Sequence, residues 1–145
     1  MSLHCLVYCS VAIQKMTDKH LKGLLVKSRQ NNPRRSITGL LLYLDPYFLQ
    51  VLEGDKNDVE SLFHNIEADN RHRKVSIIYQ RPIQFRSFPD WSMGFQRPNK
   101  QEMEKIEGFC DFWQRKTSNI LNNSEDENVQ MLQKLLTMFK KETLF

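Results

Sequence analysis

The sequence predicts an α+β fold, a ferredoxin-like sheet in the order β-α-β-β-α-β-β with two helices on one face. Three observations carry this expectation. Five short apolar segments are punctuated by Pro, Gly and Asp, two stretches between them place apolar residues at i, i+3, i+4, and the second and third segments are separated only by Asp45-Pro46. So short a connection makes an antiparallel hairpin, and the first six elements then form a split β-α-β unit.

Residues 3–10, LHCLVYCS, are apolar and read as the first strand. Thr17 offers an N-cap to a helix with Leu21, Leu24 and Leu25 on its inner side, ending near Asn31-Asn32-Pro33. Residues 36–44, SITGLLLYL, and 47–53, YFLQVLE, are the hairpin strands. After Gly54, an acidic start at Asp55 opens a second helix carrying Val59, Leu62, Phe63 and Ile66, and residues 69–73 are its polar exit. Residues 75–80, VSIIYQ, and 90–96, DWSMGFQ, are the fourth and fifth strands, with Pro82 and Pro89 between them.

Strand alternation points Leu6 and Tyr8 one way and Cys5, Val7 and Cys9 the other, so both faces of the sheet are apolar and both need cover. Two helices cover one face. Helices at 101–116 and 125–143 are expected on the other, the second opened by a Ser124/Glu127 capping box and striped by Val129, Leu132, Leu136 and Phe139. The expected organisation is a domain over 1–97 and a helical extension over 98–145 that caps the sheet or signals outward.

The bulk composition excludes more than it suggests. The chain has 145 residues, 40% hydrophobic and 26% charged, which is enough to bury a core in one domain. Its net charge is +4, but Arg34-Arg35, residues 71–74 and Arg86 lie apart among acids, so nucleic acid is not the expected partner. Three cysteines without C-x-x-C spacing read as reduced thiols of a cytoplasmic protein. No apolar run approaches the 18 or so residues of a membrane span, and no charged segment precedes the first apolar stretch as in a signal peptide. Four histidines lack metal-ligand spacing, no G-x-S-x-G is present, the five glycines form no phosphate loop, and the strands lack the spaced aromatics of an RNA-binding motif.

The informative residues are polar ones at positions patterned for burial. Gln50 interrupts FLQVLEG, and burying its amide without partners costs roughly 1–3 kcal/mol, so it must find partners in the fold or face a pocket. With the first and third strands adjacent, Tyr8 meets Gln50 on one face, and an amide can accept from a phenol while its N–H groups serve elsewhere. A satisfied core pair is one outcome; a ligand pocket is the other. Ser28, Asn31 and Asn32 form a second polar group at the end of the first helix.

Tyr8 in LVYCS, SRQNNPRRSITG (28–39), FLQVLEG (48–54), DNRH (69–72) and the triplet Trp91-Ser92-Met93 together resemble the BLUF domains, blue-light sensors that use FAD. The resemblance covers about residues 1–97 without gaps. It implies a flavin between the two helices above the sheet, with Leu24 and Ile66 on its two faces, Asn31 and Asn32 at its pyrimidine end, and Ser28 among the residues that bind it. Asp69, Arg71 and His72 would close the same end and the ribityl side, and Gln50 would bridge Tyr8 to flavin N5 and O4. By the same resemblance Tyr8 gives up an electron and then a proton in light, Gln50 ends rotated or tautomerised, absorption shifts red, and Trp91 and Met93 on the fifth strand relay the change. FAD is the expected cofactor, rather than FMN. One departure stands out: most members of the family carry Arg or Lys one turn before Asp69, where this chain has Asn65, so a charge contact to the cofactor is either missing or replaced by Arg71 or Lys27; the other reading is that Asn65 points to solvent. The implied product is a conformation, read by a downstream signalling protein, from a photoreceptor without an enzyme domain that forms a homo-oligomer. A ferredoxin-like module that binds nucleic acid or protein, or a small enzyme such as an acylphosphatase, shares the topology, and a flavin spectrum separates all three.

Overall fold

The computed structural model describes residues 2–104 and, beyond them, Gln130, Lys134, Thr137 and Met138. Its elements are β1 (Leu3–Ala12), α1 (Asp18–Asn31), a 3-10 turn (Asn32–Arg35), β2 (Thr38–Leu44), β3 (Tyr47–Asp55), α2 (Lys56–Glu67), β4 (His72–Pro82), β5 (Gly94–Gln96) and α3 (Lys100–Glu104). The sheet runs β4-β1-β3-β2-β5. β1 pairs antiparallel with β3 and β4, β2 pairs antiparallel with β3, and β5 joins the β2 edge in parallel. This is the expected ferredoxin-like arrangement with one added strand.

Local chemistry sets the helix ends. The Thr17 hydroxyl accepts from His20 N–H at 3.2 Å while Thr17 N–H donates to His20 Nδ1 at 3.3 Å, a reciprocal cap in which imidazole plays the part usually taken by Glu. Asp55 Oδ1 accepts from Asn57 N–H at 3.0 Å and starts α2. Each helix then carries two stripes. Leu21 and Leu25 of α1, with Val59 and Phe63 of α2, are buried against the sheet residues Leu6, Leu41, Leu52 and Phe95. One step round, Leu24, Ser28 and Asn31 follow i, i+4, i+7, and Leu62, Ile66 and Asp69 follow the same spacing at the end of α2.

The opposite face carries Cys5, Val7, Cys9, Leu40, Leu42, Leu49 and Val51, all buried. The chain divides into compact units after Arg97, and the second begins with α3, opened by Asn99 and Glu102, each side chain accepting from the other's N–H at 2.7 and 3.2 Å. Of the expected helices over 101–116 and 125–143, residues 101–104 lie in α3 and Gln130, Lys134, Thr137 and Met138 are helical; the rest, with the Ser124/Glu127 cap and its stripe, lies outside the described residues.

One expectation needs correction. The fifth strand spans only Gly94–Gln96, so Trp91 and Met93 precede it rather than lie on it. Their carbonyls are engaged elsewhere: Trp91 O accepts from Gly39 N–H at 3.1 Å, Ser92 O from Asn32 Nδ2 at 2.7 Å and Met93 O from Arg29 Nε at 2.9 Å, which leaves no ladder to form. Asn32 stands at the end of α1 as expected: it is the C-cap, its N–H donating to the Ser28 carbonyl, and it also begins the 3-10 turn that contains Pro33.

Candidate functional site

A cavity of about 310 Å³ opens between α1 and α2 above the sheet. Its floor is Tyr8, Leu41, Phe48 and Gln50; one wall is Leu24, Lys27, Ser28 and Asn31, with Asn32 at its end; the other is Leu62, Asn65 and Ile66, continued by Asp69, Arg71 and His72. The ten residues singled out for a cofactor therefore line one space. Trp91 and Met93 are absent from the lining; Met93 touches it through Gln50. Leu41, Phe48 and Leu62 were not foreseen, although parity held the signal: Phe48 sits two residues from Gln50, and Leu41 is its partner across the β2–β3 ladder.

The floor holds a chain of three side chains. Tyr8 and Gln50 are register partners on β1 and β3, and the Tyr8 hydroxyl donates to Gln50 Oε1. Gln50 Nε2 donates in turn to Met93 Sδ at 3.3 Å. A thioether is a weak acceptor, so the amide is incompletely satisfied while being only 6% exposed. The Tyr8 phenol is pushed up from its ordinary pKa, first by burial and then by the negative charge of Asp69, so it stays protonated at any working pH. Its ring packs on Phe63, with centroids 5.6 Å apart, and edge-on to His72 at 6.3 Å.

His72 is fixed by both ring nitrogens. Nε2 lies 2.6 Å from the Ile66 carbonyl, which can only accept, so Nε2 carries the proton; Nδ1 lies 2.8 Å from Ser10 Oγ. That ties the end of α2 to β1 beneath the cavity. Asp69 and Arg71 form a two-pronged ion pair, with Nε 2.9 Å from Oδ1 and Nη2 2.5 Å from Oδ2, and Arg71 N–H also reaches Oδ1 at 2.9 Å. The guanidinium holds the Asp69 carboxyl down to about 2. Arg71 is thereby largely committed to Asp69. Ser28 spends its hydroxyl proton on the Leu24 carbonyl at 3.0 Å, turning its oxygen into an acceptor.

These residues suit a planar heteroaromatic with a mixed donor and acceptor edge. Aliphatic side chains from opposite helices, Leu24 and Ile66, supply two walls, while the amides of Asn31, Asn32 and Gln50 supply donors and acceptors in one region. The volume lies in the range of small-molecule sites. Among the described residues no cluster of three His, Cys, Asp or Glu could hold a metal ion, and no helix is long and apolar enough to cross a membrane.

Comparison with known proteins agrees with this chemistry. The family described as BLUF, sensors of blue-light using FAD, matches residues 3–94. The photoactivated adenylate cyclase subunit beta of Euglena longa is 36% identical over 93 residues, which are 63% of this chain and 11% of that protein. The chain thus spans about a ninth of that relative's length. The solved structure of BlsA in its photo-activated state superposes with a TM-score of 0.75 at 31% identity, covering 92% of this chain and 94% of that one. Klebsiella pneumoniae BlrP1 with FMN and cyclic diGMP superposes with a TM-score of 0.62 at 33% identity over 66% of this chain and 26% of that one. The match, the fold and the lined cavity lead to one statement: this chain belongs to the BLUF family of flavin-based blue-light sensors.

Proposed function

We propose that the cavity holds FAD and that Tyr8 and Gln50 are the light switch beside it. The observation that carries this reading is the hydrogen-bonded chain Tyr8–Gln50–Met93 on the cavity floor. Leu24 and Ile66 would flank the ring, Asn31, Asn32 and Ser28 would meet its polar edge, and Asp69, Arg71 and His72 would close the site. A bound flavin supplies absorption of blue light and a place for one electron.

The protein residues do the rest. Tyr8 is a protonated phenol in the dark, so loss of an electron makes it a strong acid whose proton has one direct acceptor, Gln50 Oε1. The amide has two orientations of unequal energy. With Oε1 towards Tyr8, its Nε2 reaches the Met93 sulfur; turned by half a revolution, it would set carbonyl oxygen against thioether sulfur, two acceptors facing one another. Met93 therefore favours the dark orientation, and a rotated or tautomerised amide is a higher state that relaxes thermally. The change reaches the main chain because Trp91, Ser92 and Met93 are pinned by Gly39, Asn32 and Arg29.

FAD rather than FMN is the cofactor in this reading, supported by the family description, with Lys27 as the cation left for a phosphate because Arg71 is engaged by Asp69 and Asn65 is neutral. Residues 1–97 are the sensor and residues 98–145 the output extension. One relative named above is a cyclase subunit; in this reading the sensor, as a homo-oligomer in the cytoplasm, changes shape in light and passes that change to a downstream signalling protein. The test is the spectrum of the purified protein with FAD: a flavin band that moves red in blue light and returns in the dark supports the reading, and a protein that takes up no flavin contradicts it.

A further inference from the structure

β3 buries a second polar side chain, on the opposite face from Gln50. Glu53 is 1% exposed, and strand alternation sends residues 50 and 53 to opposite sides. Its carboxylate is held mainly by backbone. Ser87 N–H donates to Oε2 at 2.7 Å and Phe88 N–H to Oε1 at 2.9 Å, while the Thr38 hydroxyl lies 3.5 Å from Oε1. Arg86 Nη1 closes the group, donating to Thr38 Oγ1 at 2.7 Å and to the Glu53 carbonyl at 3.0 Å. Two successive amides on one carboxylate fix the backbone at Phe88.

Phe88 passes that constraint on. Its ring, 2% exposed, stacks on Trp91 with centroids 5.7 Å apart and planes 17° from parallel. The Trp91 ring lies against the backbone of Gly94 so closely that a Cβ there would meet Trp91 Cε3 at 2.3 Å. Trp91 is thus seated between Phe88 and Gly94, its carbonyl held by Gly39, and two residues later the Met93 sulfur meets Gln50. Resting on the reading of Gln50 as the switch, we infer that Glu53 is a positioning residue: by clamping Ser87 and Phe88 it seats Trp91 and so places the Met93 sulfur that holds Gln50 in its dark orientation.

Glu53→Gln is the sharp variant. It conserves shape but turns an NH₂ group towards an amide N–H, donor against donor, so one of the two clamping bonds is lost. Burial raises the Glu53 pKa against the pull of its donors, so an uncharged isostere spares the fold a desolvated charge. The experiment uses the full FAD-loaded chain in a Trp113→Phe background, so that emission reports Trp91. Glu53→Gln is expected to keep the flavin and its dark band, to shift Trp91 emission red with easier iodide quenching, and to change the dark-recovery rate by about 2- to 10-fold, the worth of one hydrogen bond. Unchanged emission and quenching would overturn the proposal. So would altered emission with unchanged recovery, since Glu53 would then shape the loop without touching the switch. Should the variant not fold, amide exchange in the unsubstituted chain decides: Ser87 and Phe88 are expected to exchange slowly although Ser87 is exposed, and exchange at the rate of an open loop would refute the clamp. A chain that binds flavin but shows no photoshift would overturn the reading of Gln50 and, with it, the link from Glu53 to a switch.

Discussion

The two faces of β3 bury polar side chains by opposite means. On the helix side, Gln50 has a phenol on one end and a thioether on the other, beside a cavity of about 310 Å³. On the far side, Glu53 has two backbone amides and a hydroxyl within reach. Both residues are nearly inaccessible, and what separates them is how well their hydrogen-bonding capacity is met. A buried polar group held by backbone donors fixes the chain around it; one that meets only a phenol and a thioether beside open volume keeps hydrogen-bonding capacity to offer a ligand.

That contrast is broken first at its strongest point. Gln50→Leu and Tyr8→Phe should each bind flavin yet lose the photoshift altogether, the first lacking the amide and the second the transferable proton; light-minus-dark absorbance reads both, and a normal shift in either removes that residue from the switch. The far face should behave the other way. Leu49→Ala, at a site 1% exposed, is expected to cost roughly 2–5 kcal/mol in urea unfolding while the photoshift persists. If it abolished the shift at full flavin occupancy, the two faces would not be separable.

Smaller effects sharpen the comparison. Asn32→Ala deletes the bond to the Ser92 carbonyl along with an amide of the lining, and flavin titration should show affinity roughly tenfold weaker, in line with about 1–2 kcal/mol for a buried hydrogen bond. The smallest concerns acid. Asp69 has its pKa lowered to about 2, so the folded state binds the proton less readily than the unfolded chain; its stabilisation is complete above the ordinary aspartate range near ~4 and fades as pH falls towards 2. The pair is partly exposed, so the effect is modest. Urea midpoints taken through that window should converge for the unsubstituted chain and Asp69→Asn at the acid end, and a constant gap would show that the Arg71 pair is not the cause.

Much of this was legible in the sequence because it rests on period and punctuation. Alternation in LHCLVYCS together with ferredoxin-like strand order lets Tyr8 meet Gln50 on one face, as the register shows, whereas the place of Leu24 and Ile66 in the lining comes from the family resemblance and not from helix spacing. The segment 90–93 was not legible. DWSMGFQ reads as a strand by composition, but its carbonyls are taken by Gly39, Asn32 and Arg29, three partners distant in sequence. The same holds for Glu53, whose partners Ser87 and Phe88 are 34 and 35 positions away. Long-range hydrogen bonds leave no local pattern, and Glu53 in LEGD looks like any acid before a helix.

One light-minus-dark absorption spectrum of the FAD-loaded chain decides whether Tyr8 and Gln50 are a light switch. The expected result is a blue-region flavin band that moves red on illumination and recovers fully in darkness. A bound flavin whose band stays fixed under blue light would mean that Tyr8 and Gln50 are a core pair beside a cofactor and not its switch.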